Sequence, residues 1–134
     1  MEKSKLVKAL LIASGIIGIF IGGSLLFVPV AFQASAGIDL EGNINLLSEV
    51  RAPGGTLLIA GILILSGAFM ARLTYGSVLL TCLFYLSYGV SRVFSVIIDG
   101  MPSSSLIGAT IIELVIGGAS LYVLVYYRKK HKSV

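Results

Sequence analysis

Apolar residues run along this chain in four long blocks, with short polar breaks between them. A bilayer core roughly 30 Å thick takes about 20 apolar residues of helix to cross, and each block reaches that length. The blocks fall at 9–31, 52–71, 75–98 and 104–127, and the second could begin as early as Asn45. Lys8 is the last charge before the first block. Arg92 alone interrupts the third, and Glu113 alone the fourth. The pattern predicts an all-α integral membrane protein, with residues 1–134 forming one antiparallel bundle of four transmembrane helices. Only the segment 32–50 is long enough to hold structure of its own.

Composition agrees. Of 134 residues, 57% are hydrophobic and 12% charged, against about 25% charged in a soluble domain. So few charges cannot cover the surface of a short soluble protein, and so many apolar residues exclude disorder. One cysteine and one histidine leave no material for a disulfide framework, a zinc finger, a Cys-based cluster or a His-rich metal site within the chain. There is no Gly-rich phosphate loop, HExxH or GxSxG pattern, so no metal and no cofactor is expected. Cys82 reads as a small packing residue.

Charge is unevenly placed. With four spans, Lys3, Lys5, Lys8, Arg72, Arg128, Lys129, Lys130 and Lys132 share one side. Asp39, Glu41, Glu49, Arg51 and Asp99 lie on the other. The positive-inside rule therefore places both termini in the cytoplasm. The basic tail, which includes His131, reads as a topology determinant against anionic lipid, and nucleic acid is not an expected partner. Tyr75, Tyr122, Tyr126 and Tyr127 read as interfacial anchors. Lys3, Lys5 and Lys8 ahead of an apolar run and Ala34-Ser35-Ala36 imitate a secretory signal. The run exceeds the 7–15 residues of a signal's apolar region, so an uncleaved span is expected.

Helices in lipid associate by close packing and polar contacts. Gly15, Gly18 and Gly22 share one face of the first span, and Gly18 with Gly22 makes a GxxxG pair. The second span offers Gly61 and a Gly67-xxx-Ala71 pair, the fourth Gly117 and Gly118. Packing inside one bundle is favoured over a self-association surface. Pro53, followed by Gly54 and Gly55, is a kink if the second helix begins near Asn45 and its first turn otherwise.

Ionisable groups within spans are costly and usually face the bundle interior or a water-filled cavity. Thr81, Tyr85, Tyr88, Arg92, Ser95 and Asp99 recur at steps of three and four, placing them on one face of the third helix. Thr110, Glu113, Gly117 and Ser120 do the same on the fourth. At 1.5 Å per residue, Arg92 lies about 10 Å below Asp99 and Glu113 about 16 Å below Pro102. That difference of roughly 6 Å is within an arginine's reach, so the two should pair. Glu49 and Arg51, two positions apart, should face different partners. Convergence of Glu49, Arg51, Arg92 and Glu113, with hydrogen bonds from Tyr85, Tyr88, Ser95 and Thr56, would make a formally neutral cluster. Such a cluster is either an ion-pair network fixing helix register or a polar pocket for an amphiphile. Buried ion pairs are poor sources of stability, which tilts the balance toward the pocket.

The string Asn45-Leu46-Leu47-Ser48-Glu49-Val50-Arg51-Ala52-Pro53-Gly54-Gly55, with Ser91-Arg92, Asp99-Gly100-Met101-Pro102 and Glu113, resembles a family of small four-helix bacterial membrane proteins classed as a domain of unknown function. In architecture these are similar to the wider DoxX-like group. The resemblance implies Glu49, Arg51, Arg92, Asp99 and Glu113 as the family's polar set and brings no reaction. The expectation is a multi-pass protein of the bacterial inner membrane. Its candidate site is Glu49, Arg51, Tyr85, Tyr88, Arg92, Ser95, Asp99 and Glu113, binding a lipid or quinone head group. Docking onto a larger membrane complex, or forming a homodimer, is the accessory version of the same idea. The alternatives are an intramembrane enzyme, with Glu113 or Glu49 as acid/base and Arg92 stabilising negative charge, and a small proton-coupled transporter using Glu113.

Overall fold

The computed structural model describes residues 4–132. Lys3 lies outside the described residues, as do the side chains of Lys130, His131 and Lys132. The elements are α1 (Lys5–Phe27), the short α2 (Pro29–Ala34), α3 (Ile44–Phe69), a 3-10 turn (Ala71–Leu73), α4 (Thr74–Asp99) and α5 (Ser104–Lys132). Four of them, α1, α3, α4 and α5, are long and apolar enough to cross a membrane.

Local chemistry sets the boundaries. Ser4 caps α1 by accepting from the Val7 amide at 3.1 Å, and Asn43 caps α3 by accepting from Leu46 at 3.1 Å. With Asn43 as its cap, α3 starts at Ile44, and Pro53 stands inside it. The first apolar block is not one helix. Pro29 has no amide hydrogen to continue α1, the chain breaks at Val28, and the remainder turns off as α2. Helix α4 stops at Gly100, whose φ of +99° suits glycine.

Backbones meet backbones between α1 and α3. A Cβ on Gly15 would lie 2.8 Å from the Leu65 amide nitrogen, and one on Gly61 2.6 Å from that of Ile19. A Cβ on Gly22 would overlap the backbone of Leu58. The order of these meetings (15 with 65, 18 with 61, 22 with 58) is antiparallel. Helices α4 and α5 repeat the device: Gly89 lies under Leu114, and Gly117 under Leu86. Helices α3 and α4 join near their turn, where Ser77 Oγ donates to the Leu63 carbonyl at 2.9 Å and Thr74 Oγ1 to that of Gly67 at 2.8 Å. All three pairings are antiparallel, so the start of α1 and the end of α5 share one end of the bundle.

The glycine stripe of the first span is thus fully engaged within the chain. Two of the other small-residue features do not act as expected. Helix α3 ends at Phe69, so Ala71 sits in the 3-10 turn and shares no helical face with Gly67. Gly118 faces open space.

The apolar core lies in the half of the bundle next to the termini, where Val7, Leu11, Ile64, Ala68, Val78, Cys82, Tyr85 and Leu124 pack together. Buried hydroxyls there satisfy themselves locally. Ser14 donates to Leu10, Thr81 to Ser77 and Ser120 to Ile116, at 2.7–2.8 Å, a common use of Ser and Thr in helices. In the other half, α1 meets α4 and α5 only sparsely, and the bundle opens.

Replacing Gly22 or Gly61 by leucine should lower the melting temperature in detergent sharply, since overpacking typically costs about 1–3 kcal/mol and here the obstacle is backbone. Gly118→Ala, with nothing nearby to strike, should melt like the wild type. Equal melting of all three proteins contradicts the backbone contact.

Candidate functional site

The opening between the two tight helix pairs is a cavity of about 740 Å³, within the range of small-molecule sites. Its walls come from α1 (Ile16 to Leu25), α2 and the residues after it (Phe32 to Ile38), α4 (Phe84 to Arg92) and α5 (Ser105 to Glu113). Helix α3 contributes only Leu57. Ile16, Phe20 and Ile112 line the cavity and are 53%, 65% and 49% exposed. The exposed part of the lining thus includes residues of α1 and α5.

At the floor, the Tyr85 hydroxyl donates to the Ser14 carbonyl, tying α4 to α1. Higher on the wall, Arg92 Nε donates to Glu113 Oε1 at 2.7 Å. Glycine packing makes that contact feasible. Gly89, three residues before Arg92, and Gly117, four after Glu113, hold α4 and α5 at backbone contact, so the side chains meet without stretching. The Arg92 side chain is 35% exposed and that of Glu113 15%. The bond uses one guanidinium nitrogen and one carboxylate oxygen. The terminal nitrogens of Arg92, the Tyr88 hydroxyl and the Gln33 amide have no hydrogen-bond partner among the described residues. Tyr88 and Gln33 line the same cavity.

Of the sequence candidates, the structure brings Tyr85, Tyr88, Arg92 and Glu113 together. It does not bring in the other four. Ser95 and Asp99 continue the same face of α4, but both are exposed, and Ser95 Oγ bonds Asp99 Oδ2 at 3.5 Å. Sharing a helical face does not guarantee a shared environment once the helix passes the cavity wall. Glu49 is exposed near the start of α3, and Thr56 bonds back to the Ala52 carbonyl at 3.1 Å. The convergence expected of Glu49 and Arg51 with Arg92 and Glu113 does not occur, because the only α3 residue on the cavity is Leu57.

Arg51 has a different task. Its guanidinium donates to the Leu26 carbonyl in the last turn of α1, where helix carbonyls lack intrahelical donors and a cation is favoured by the helix dipole. Three residues on, Gly54 packs against Leu25 and Leu26. The Arg51-Ala52-Pro53-Gly54 string is a clamp on the end of α1.

Sequence reasoning missed the α2 wall. Phe32 stacks edge-on against Phe20, with ring centroids 6.1 Å apart, and Ser105 Oγ reaches the Ser35 carbonyl at 3.5 Å. The available signals were Pro29 within the first apolar block and Gln33 just beyond it.

A family model described as a domain of unknown function (DUF4345) matches residues 6–124, a range that holds every residue lining the cavity. No curated protein and no solved structure matches the chain.

Arg51→Gln should lower thermal stability, since hydrogen bonds to charged groups are worth about 1.5–3 kcal/mol. Glu49→Gln, on an exposed side chain, should stay within about 0.5 kcal/mol of wild type. Melting curves of both variants in one detergent decide the matter, and a larger loss at Glu49 would refute the assignment.

Proposed function

This chain belongs to the DUF4345 family, and from its geometry we propose that it binds an amphiphile, with the head group against Arg92 and Glu113 and the tail leaving between α1 and α5. The observation that carries the proposal is one apolar cavity, with exposed α1 and α5 residues in its lining, whose wall holds the Arg92–Glu113 pair and unpartnered polar groups of Arg92, Tyr88 and Gln33. A pair that served only to fix helix register would have no need of an adjoining space. The apolar lining from Ile16 to Leu25 suits a hydrocarbon chain, and the polar wall suits a head group.

Orientation belongs to the same proposal. Lys5, Lys8, Arg72, Arg128 and Lys129 gather at the end of the bundle that holds the termini, while Asp39, Glu41, Glu49 and Asp99 gather at the other. By the positive-inside rule the termini face the cytoplasm of a bacterial inner membrane, and the cavity lies in the outer leaflet. Kinship with the DoxX-like group belongs to the same proposal and rests on the four-helix architecture.

Gly108 supplies a clean test. It lines the cavity, and a Cβ there would meet nothing within 4 Å. Gly108→Phe should fill the space without lowering the melting temperature, and native mass spectrometry of the protein released from nanodiscs should show the amphiphile adduct lost. The double variant Arg92→Leu/Glu113→Leu should keep its fold and lose roughly tenfold or more in occupancy, as charge-assisted head-group bonds disappear. A wild-type adduct that persists in Gly108→Phe, or no adduct on the wild type, overturns the proposal.

A further inference from the structure

Resting on the cavity as an amphiphile site, we infer that its ligand carries an uncharged head group bearing a hydroxyl or carbonyl, and that phosphate-bearing lipids are rejected. Arg92 and Glu113 are the charged residues among those lining the cavity, and they already neutralise each other at 2.7 Å. An ionised head brought into this apolar space would leave water with no net opposite charge to meet it, which is the costly case for a buried ion. The nearest bundle end makes matters worse for an anion, since it carries Asp39, Glu41, Glu49 and Asp99 against Arg51 alone.

An uncharged oxygen fits what remains. The terminal nitrogens of Arg92 can donate to a carbonyl or hydroxyl oxygen, and the second carboxylate oxygen of Glu113 can accept from a hydroxyl hydrogen. Tyr88 and Gln33 can do either. A hydroxyl head can thus donate to one member of the pair and accept from the other without disturbing the bond between them. A cavity of about 740 Å³ with a mostly apolar lining has room for one hydrocarbon chain.

Three single-chain probes with the same tail length separate the head groups: 1-oleoylglycerol, its 3-phosphate, and oleylamine, each added to the full-length protein in nanodiscs and read by native mass spectrometry. The wild type should retain 1-oleoylglycerol about tenfold better than either charged probe. Glu113→Gln leaves Arg92 uncompensated and should reverse the order, so that the phosphate is retained best. The wild-type ranking decides by itself even if that variant does not fold. Preference of the wild type for the phosphate or the amine overturns the head-group assignment while leaving an amphiphile site standing. Retention of none of the three removes the site and the assignment together.

Discussion

The fold depends on two helices touching through their backbones. In lipid, hydrocarbon chains are as good a neighbour for leucine as another leucine is, so helices gain little by hiding apolar side chains from their surroundings. What holds α1 to α3 is the absence of side chains at Gly15, Gly18, Gly22 and Gly61, which brings peptide groups into van der Waals contact. Gly89 and Gly117 do the same for α4 and α5. The two tight pairs are joined near the α3–α4 turn, where Ser77 and Thr74 donate to α3 carbonyls. The bundle is closed where the joint and core lie and open where they do not, so the cavity is a product of which contacts glycine makes close.

The chemistry of the cavity follows from the same contacts. A salt bridge in an apolar setting is a weak source of stability unless its geometry is good and its remaining polar groups find partners. Here the geometry is good because α4 and α5 are close, and the remaining groups open onto a space that could receive a head group. Without Gly89 and Gly117 the two helices would stand apart, and Arg92 would have to reach for Glu113 across the gap.

Much of this was legible in the residues. Four apolar blocks give four long helices, and the rise per residue was enough to anticipate the Arg92–Glu113 pair from two positions on neighbouring spans. Periodicity also grouped Tyr85 and Tyr88 with Arg92. It failed for Ser95 and Asp99, since a period fixes direction around a helix and says nothing about where a neighbouring helix ends. Glu49 and Arg51 were misplaced for another reason. Charge suggested that they join the other charges, whereas the break at Pro29 created an unpartnered carbonyl at Leu26 that Arg51 satisfies. The α2 wall was hidden because Pro29 sits in a stretch as apolar as the rest, and hydropathy cannot register a break in direction.

The clamp on Leu26 carries a lesson for anyone choosing positions to alter. The most conspicuous string in this chain, charged residues beside a proline and two glycines, looks like reactive machinery, yet its Arg51 holds the end of α1. Weakening it would lower the amount of folded protein, and an assay of whole cells would record that shortfall as a lost activity. Only a measurement normalised to the amount of intact protein can tell a broken hinge-pin from a broken tool.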